Sequence, residues 1–434
     1  MDDVVDDDLG SAIRAHKWRW LMRRWTLKHL LHRAGLPARR RRWRRQREEV
    51  CRSYAKQTGA IPTKGPALVF GEFSGKHGLG RAATYDIELL RARHEHVQTV
   101  DLCPYLTGGA VSRLTFNGPV ENLYLFCQPD RYGTVFGLLD ADAIRNAYRI
   151  GRWVWETPVF PEDWRFAERL VHEIWAPSSF CAETFRRAID VPVSVLPHFV
   201  TEPPETSVNM RSHLSIPPDV FMGLAIMDIQ SCPARKNPWA HVLAWRRAFG
   251  DDPTAILVMK IRVSKRTQTV LKELHELARG ASNIRLISED LEHSEIAALH
   301  RAADLYMSLH CAEGFGLNIY EALLLGKPVV ATNWSANAEY GPLFENYRGV
   351  DYKLVPYQDW LQHYGDNKFL WAEADIAHAG RLLSQSREAM TYFSRDTMIK
   401  SGSTSSDMKT LNADEGSLVE LAQVRKRLIS KKIG

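Results

Sequence analysis

The sequence contains no run of the roughly 18 apolar residues that a membrane-spanning helix needs. It has no Cys-x-x-Cys pair among its six cysteines (Cys51, Cys103, Cys127, Cys181, Cys232 and Cys311). The first lack argues against a multi-span membrane protein. The second argues against a zinc ribbon and a disulfide framework, and predicts free thiols in a reducing compartment. The opening MDDVVDDDLG is acidic and lacks the cation-then-apolar order of a secretory signal. No fixed short period repeats along the chain. With 45% hydrophobic and 25% charged residues, neither wholesale disorder nor collagen fits. One stretch lacks acids altogether: residues 14–47 hold fourteen Lys or Arg and no Asp or Glu. The chain has 57 bases and 51 acids, so outside that stretch 43 bases meet 51 acids. The basicity belongs to an arm, and the body is acidic.

Within the arm, Trp18, Leu21, Met22 and Trp25, then Leu27, Leu30, Leu31 and Ala34, recur at i, i+3, i+4, i+7, the spacing of an amphipathic helix. Gly35 and Pro37 end it, and Arg39 to Arg47 follows as nearly pure cation around Trp43. Tryptophan and arginine on one helix suit an anionic membrane surface. Packing on the body and binding of nucleic acid by phosphate contact and stacking are the other readings, nucleic acid the least favoured. The expectation is a cytoplasmic protein, peripheral on the inner face of the membrane through residues 14–47.

From Gly65 short apolar runs alternate with helical stretches. Strands are predicted at Ala67–Phe70, Val97–Asp101, Leu123–Cys127, Arg152–Trp155 and Glu173–Ala176. A glycine-rich turn (Gly71, Gly75, Gly78, Gly80) precedes a predicted helix over Arg81–Arg93. The polar, proline-containing Glu202–Asn209 reads as a linker. The pattern restarts with strands at Met222–Met227, Ile256–Met259, Ile284–Ile287, Leu305–Leu309 and Pro328–Ala331. Helix faces between them carry Leu271, Leu274 and Ala278, then Ile296, Leu299, His300 and Ala303. Two doubly wound α/β domains facing a cleft follow from this order. The expected divisions are 1–64, an acidic tail and basic arm; 65–205; 206–385; and 386–434, a C-terminal helical extension.

Chemistry concentrates in His310–Thr332, HCAEGFGLNIYEALLLGKPVVAT. Gly314 and Gly316 flank Phe315 before a helix opening near Leu317, whose amides and dipole suit an anion. Glu313 precedes that helix, and Glu321 lies eight residues on; carboxylates accept hydrogen bonds from sugar hydroxyls. Arg235 and Lys236, just after the first strand of the second domain, read as opening a helix. The dipole disfavours cations there, so the pair suggests a diphosphate clamp.

These residues together resemble the group 1 (family 4) glycosyltransferases of the GT-B fold. The resemblance rests on Glu313-Gly-Phe-Gly-Leu…Glu321-Ala-Leu…Gly326-Lys-Pro-Val-Val, on Glu289-Asp290…His300-Arg-Ala-Ala-Asp304 before it, and on Arg235-Lys236. Weaker likenesses are Gly78-Leu79-Gly80-Arg81, His172–Ser178 and Trp371–Asp375; the whole spans about residues 66–385. It implies a retaining, metal-independent hexosyltransferase that moves a sugar from a nucleotide-sugar to a glycan or lipid-linked acceptor in polysaccharide biosynthesis. No cofactor is implied; GDP-mannose is the first donor expected and UDP-sugars next. Glu313 would bind donor-sugar hydroxyls and Glu321 the ribose. Arg235 and Lys236 would neutralise the diphosphate, helped by amides near Gly78, Gly80, Gly316 and Leu317. Where many relatives carry a histidine after a first-domain strand, this chain has Glu156, as acceptor-positioning group or base.

Competing motifs are weaker. Gly71 to Lys76 is one residue short of a P-loop, and Gly75, Gly78 and Gly80 give the wrong order for a dinucleotide fingerprint. An NAD(P)-dependent enzyme would leave Arg235-Lys236 and the two glutamates unexplained. Asp140-Ala-Asp142 mimics a metal-binding DxD and reads as a helix cap; no metal ligands are assigned.

Overall fold

The computed structural model describes residues 44–106, 113–116, 120–359, 363–365 and 367–401. The predicted amphipathic helix of the arm, Arg39–Trp43 and the extension beyond 401 lie outside them. Two six-stranded sheets are present, parallel throughout.

The first sheet holds β1 (Ala67–Gly71), β2 (Val97–Asp101), β3 (Asn122–Phe126), β4 (Tyr148–Arg152), β5 (Glu173–Ala176) and β6 (Val193–Val195), in the order β2-β1-β3-β4-β5-β6. The second holds β7 (Phe221–Asp228), β8 (Ala255–Arg262), β9 (Ile284–Ile287), β10 (Leu305–Ser308), β11 (Val329–Thr332) and β12 (Tyr347–Val350), in the order β12-β11-β10-β7-β8-β9. Both orders are doubly wound, with the direction of strand addition reversing between β1 and β3 and between β7 and β10. Ligands bind outside the strand C-termini at such switch points. β1 and β3 are buried along their whole length, the continuous apolar reading of a strand covered on both faces. A hairpin, β13 (Tyr352–Pro356) and β14 (Leu370–Ala374), follows the second sheet.

Several expectations are corrected. Arg152–Trp155 is not a strand: β4 ends at Arg152, and Trp153 turns into the first-domain core. The strand carries Arg149 and Arg152 inward, which masks its apolar character; Arg152 is balanced by Asp86, Nε to Oδ2 2.8 Å. The first helix starts at Gly78 rather than Arg81, because His77 caps it by accepting from the Gly80 amide. Asp140 caps no helix: its carboxylate accepts from the Asp142 amide inside a turn, and both acids pair with exposed arginines. The division expected at 385 falls inside one continuous helix, Ile376–Ser401. The last cations of the arm join the body. Residues 44–54 are helical, Val50 and Cys51 enter the first core, and Arg47 pairs with Asp163 at 2.9 Å.

The connection between domains is held at both ends. On the first-domain side Asp86 accepts from the Phe199 amide (2.9 Å) and pairs with His198 Nδ1 (2.7 Å). Arg152 outweighs the upward effect of burial on the Asp86 carboxyl, which sits at about 2. On the other side Arg301, from helix His293–Ala302, donates to the Glu202 carboxylate and to the carbonyls of Pro203 and Pro204.

All six cysteines are free and five are buried. No helix among the described residues is long and apolar enough to cross a membrane.

Candidate active site

Between the two sheets lies a cavity of about 490 Å³. Its first-domain wall includes Glu72, Gly78, Arg81, Arg131, Glu156 and His198; its second-domain wall includes Arg235, Lys236, Lys260, Glu313 and Gly314–Leu317. The β7 and β10 switch point therefore supplies the charged floor, since Arg235 and Lys236 follow β7 and Glu313 follows β10.

Arg235 and Lys236 do not open a helix. They close a single turn, Pro233–Lys236, and Asn237, at φ 48°, separates it from helix Pro238–Phe249. Prolines at 233 and 238 each start a helix, and proline suits a first helical position. The cations thus sit at a C-terminal end, where the local dipole favours them. Cys232 caps the turn, its Sγ accepting from the Arg235 amide at 3.4 Å.

Four charged side chains converge here. Lys236 Nζ contacts Glu313 Oε1, and Arg235 Nη1 lies 3.3 Å from Glu313 Oε2. Arg235 Nη2 lies 3.3 Å from Glu156 Oε1, which joins the two domains. Arg235 is 2% exposed. Burial opposes its charge, and Glu156 foremost, then Tyr364 and Glu313, overcome that. Burial likewise pushes the Glu313 carboxyl up, but Lys236, then Arg235 and His310, hold it down to about 2. Arg235 and Glu313 thus face each other as fixed charges, the preorganised arrangement that electrostatic catalysis uses.

The loop Gly314–Gly316 brings the domains together. A Cβ on Gly314 would lie 2.6 Å from Val154 Cγ1, so only glycine allows this approach. Ser178 Oγ donates to the Gly314 carbonyl at 2.8 Å. Phe315 is buried with its ring 5.0 Å from His198. Gly316 has φ 86° and precedes helix Leu317–Leu324, whose Leu317 approaches Gly78. Gly80 is buried in the first turn of its helix.

Glu321 is placed differently. It is 2% exposed and, among the described residues, does not line the cavity. Tyr85 donates to its Oε1 at 2.9 Å, Arg81 Nη2 stands 3.2 Å from Oε2, and His300 Nε2 stands 3.4 Å from Oε2. Arg81 and Tyr85 come from the first domain.

Sequence reasoning missed Tyr85 and Asn318 around Glu321, the Glu72–Arg131 pair (3.0 Å) at the end of β1, and Lys260, 5% exposed on β8. Arg81 and His300 stood inside recognised segments without a role. A lysine inside the apolar run AILVMKIR was the one available signal for Lys260.

Residues 251–344 match the family model for glycosyl transferases group 1. No curated protein sequence matches the chain. Among solved structures, a glycosyltransferase from Rickettsia africae is similar at 14% identity, with a TM-score of 0.53, over 85% of this chain and 99% of that one. HepE of Anabaena, solved with UDP and glucose, is 16% identical with a TM-score of 0.47, over 63% and 82%. WaaG, a glycosyltransferase involved in lipopolysaccharide biosynthesis, is 13% identical with a TM-score of 0.49, over 74% and 90%. The Rickettsia protein, alone of these three above 0.5, shows the fold to be shared across nearly its whole length. The chain therefore has the GT-B fold, and residues 251–344 in its second domain resemble the group 1 glycosyl transferases.

Proposed function

We propose that this chain moves a hexosyl group from a nucleotide-sugar to a glycan or lipid-linked acceptor, with retention at the anomeric carbon. The observation that carries the reading is the Arg235–Lys236–Glu313–Glu156 cluster, built on the buried Arg235 at the switch point facing the cleft. Two fixed cations there suit a departing diphosphate and take the place a divalent ion has in other transferases. Glu313 meets the donor-sugar hydroxyls. The bond from the anomeric carbon to the diphosphate oxygen breaks as the acceptor oxygen bonds on the same face. The acceptor proton passes to the leaving phosphate. Glu156, held by Arg235 on the first-domain side, orients the acceptor hydroxyl.

GDP-mannose is the first donor to test and UDP-sugars the second. Thermal shift against GDP-, UDP- and dTDP-sugars identifies the donor, because a ligand that binds the native state raises its melting temperature. Stabilisation by NAD alone would overturn the reading. NMR of the product's anomeric configuration then tests retention. Activity without added divalent cation is expected, and a requirement for Mn²⁺ would shift attention to Asp140 and Asp142.

The arm complements this reading. Residues 14–47 meet anionic headgroups at about 1 kcal/mol per cation near the surface, holding the enzyme beside a lipid-linked acceptor. Arg47 is already engaged by Asp163, so the membrane contact belongs to the residues before it. Deleting residues 1–43 should abolish sedimentation with anionic vesicles while nucleotide binding persists. Vesicle binding that survives the deletion would exclude this role.

A further inference from the structure

Among the described residues, a thiol, a carboxylate and an imidazole meet behind the cleft wall. Cys232, Asp359 and His363 each place one ligand atom within 4.8 Å of the other two. Cys232 is fully buried at the start of the turn Pro233–Lys236. Asp359 and His363 lie in the loop between β13 and β14, the Asp359 side chain wholly buried and that of His363 17% exposed. The hydrogen bonds define the imidazole. His363 Nε2 lies 3.3 Å from the Gln230 carbonyl, which only accepts, so Nε2 carries a hydrogen. Nδ1 stands 2.8 Å from Asp359 Oδ2, which also accepts from the His363 amide at 2.7 Å. Two lone pairs facing at that distance repel, so a positive centre, a proton or a metal ion, stands between them. A proton serves those two groups alone. A metal ion also takes up the Cys232 sulfur, which sits in the same apolar cluster as Ala234, Cys311, Tyr364 and Trp371.

We propose that Cys232, Asp359 and His363 bind a structural divalent ion of the zinc class through Sγ, a carboxylate oxygen and Nδ1. Thiolate with imidazole selects such an ion over Mg²⁺, Ca²⁺ and Mn²⁺, which prefer oxygen. Bonds of about 2.0–2.3 Å put neighbouring ligand atoms about 3–4 Å apart, so the cluster needs only small shifts. Water completes the fourth position from the exposed side of His363. The Nε2–H on a main-chain carbonyl is the outer partner that metal-bound histidines commonly have. Binding sends the Cys232 proton, and the proton between Nδ1 and Oδ2, to solvent, and thiolate and carboxylate then neutralise the ion. None of the three residues lines the cavity, so the ion takes no part in sugar transfer. Its work is mechanical. It clamps the β13–β14 loop to the turn that carries Arg235 and Lys236, where Cys232 Sγ already accepts from the Arg235 amide. A chain that keeps this ion is still expected to work without added divalent cation.

The test uses the full chain, stripped with chelator and titrated first with Co²⁺ and then with Zn²⁺. Cobalt should raise a sulfur-to-metal absorption band in the near ultraviolet, and zinc should displace it. Cys232→Ser should abolish the band. His363→Ala should weaken zinc binding by more than about tenfold, since losing even an outer partner of a metal ligand costs that much. Circular dichroism checks that each variant folds, and if Cys232→Ser does not, His363→Ala in its loop decides alone. A wild type without the band, a band that survives Cys232→Ser, or zinc affinity unchanged in His363→Ala would overturn the site. None of these outcomes touches the nucleotide-sugar reading of the cleft, which the donor screen tests separately.

Discussion

Glu313 and Glu321 are the same residue type, one just before and one within the same helix, Leu317–Leu324, yet they sit in opposite surroundings. Glu313 is bound by cations of its own domain that follow a neighbouring strand, and it stays on the cavity wall. Glu321 is sealed behind the wall, and its strongest partners belong to the other domain. Sequence spacing alone makes the two look equivalent. Their environments separate a carboxylate held by cations of its own domain on the cleft wall from one enclosed by groups of both domains.

The sharpest way to press this contrast is to remove the cations. Arg235→Ala and Lys236→Ala should each lower single-turnover transfer by about 10²–10³ at saturating donor, the usual effect of losing one preorganised contact. Glu321→Gln should act mainly on affinity, weakening nucleoside diphosphate binding roughly tenfold and slowing saturated turnover less than either cation variant. Equal losses of turnover from Glu321→Gln and Lys236→Ala would break the distinction.

Acid gives a third comparison. Glu313 is held down to about 2 from an ordinary 4.5, so the stability it contributes is complete above about 4.5 and is lost as pH falls toward 2. Thermal melts across that range should drop less steeply for Glu313→Gln than for the wild type. The smallest effect is expected at the loop between the two glutamates. Gly316 has φ 86°, and a Cβ there would lie 3.0 Å from the Tyr340 hydroxyl. Gly316→Ala should destabilise by about 1–2 kcal/mol, read as a fall in the urea midpoint.

The fold was legible in most strands, among them the half-exposed edge strands β2 and β9. β9 coincides with its predicted Ile284–Ile287, and β1, β7 and β10 were anticipated within two residues at either end. Strands that escaped notice are short or at an edge: β6 has three half-buried residues, and β12 carries an exposed Arg348 at the sheet margin. The Arg235–Lys236 turn was misread because two prolines five residues apart start two helices where one was expected. At the site, Glu313, Arg235 and Lys236 were found by pattern, since each follows a strand end. The partners of Glu321 were not, because Tyr85 stands 236 residues away and no local pattern encodes a contact between domains.

The fastened connection between the domains has a mechanical consequence. Phe199 is bound to the first domain through Asp86, and Glu202 to the second through Arg301. Only Val200 and Thr201 lie between the two anchors, and each residue has two soft dihedrals. So short a joint, with Val200 buried in it, is a strap rather than a tether: it fixes the chain's path from one wall of the cleft to the other within four residues.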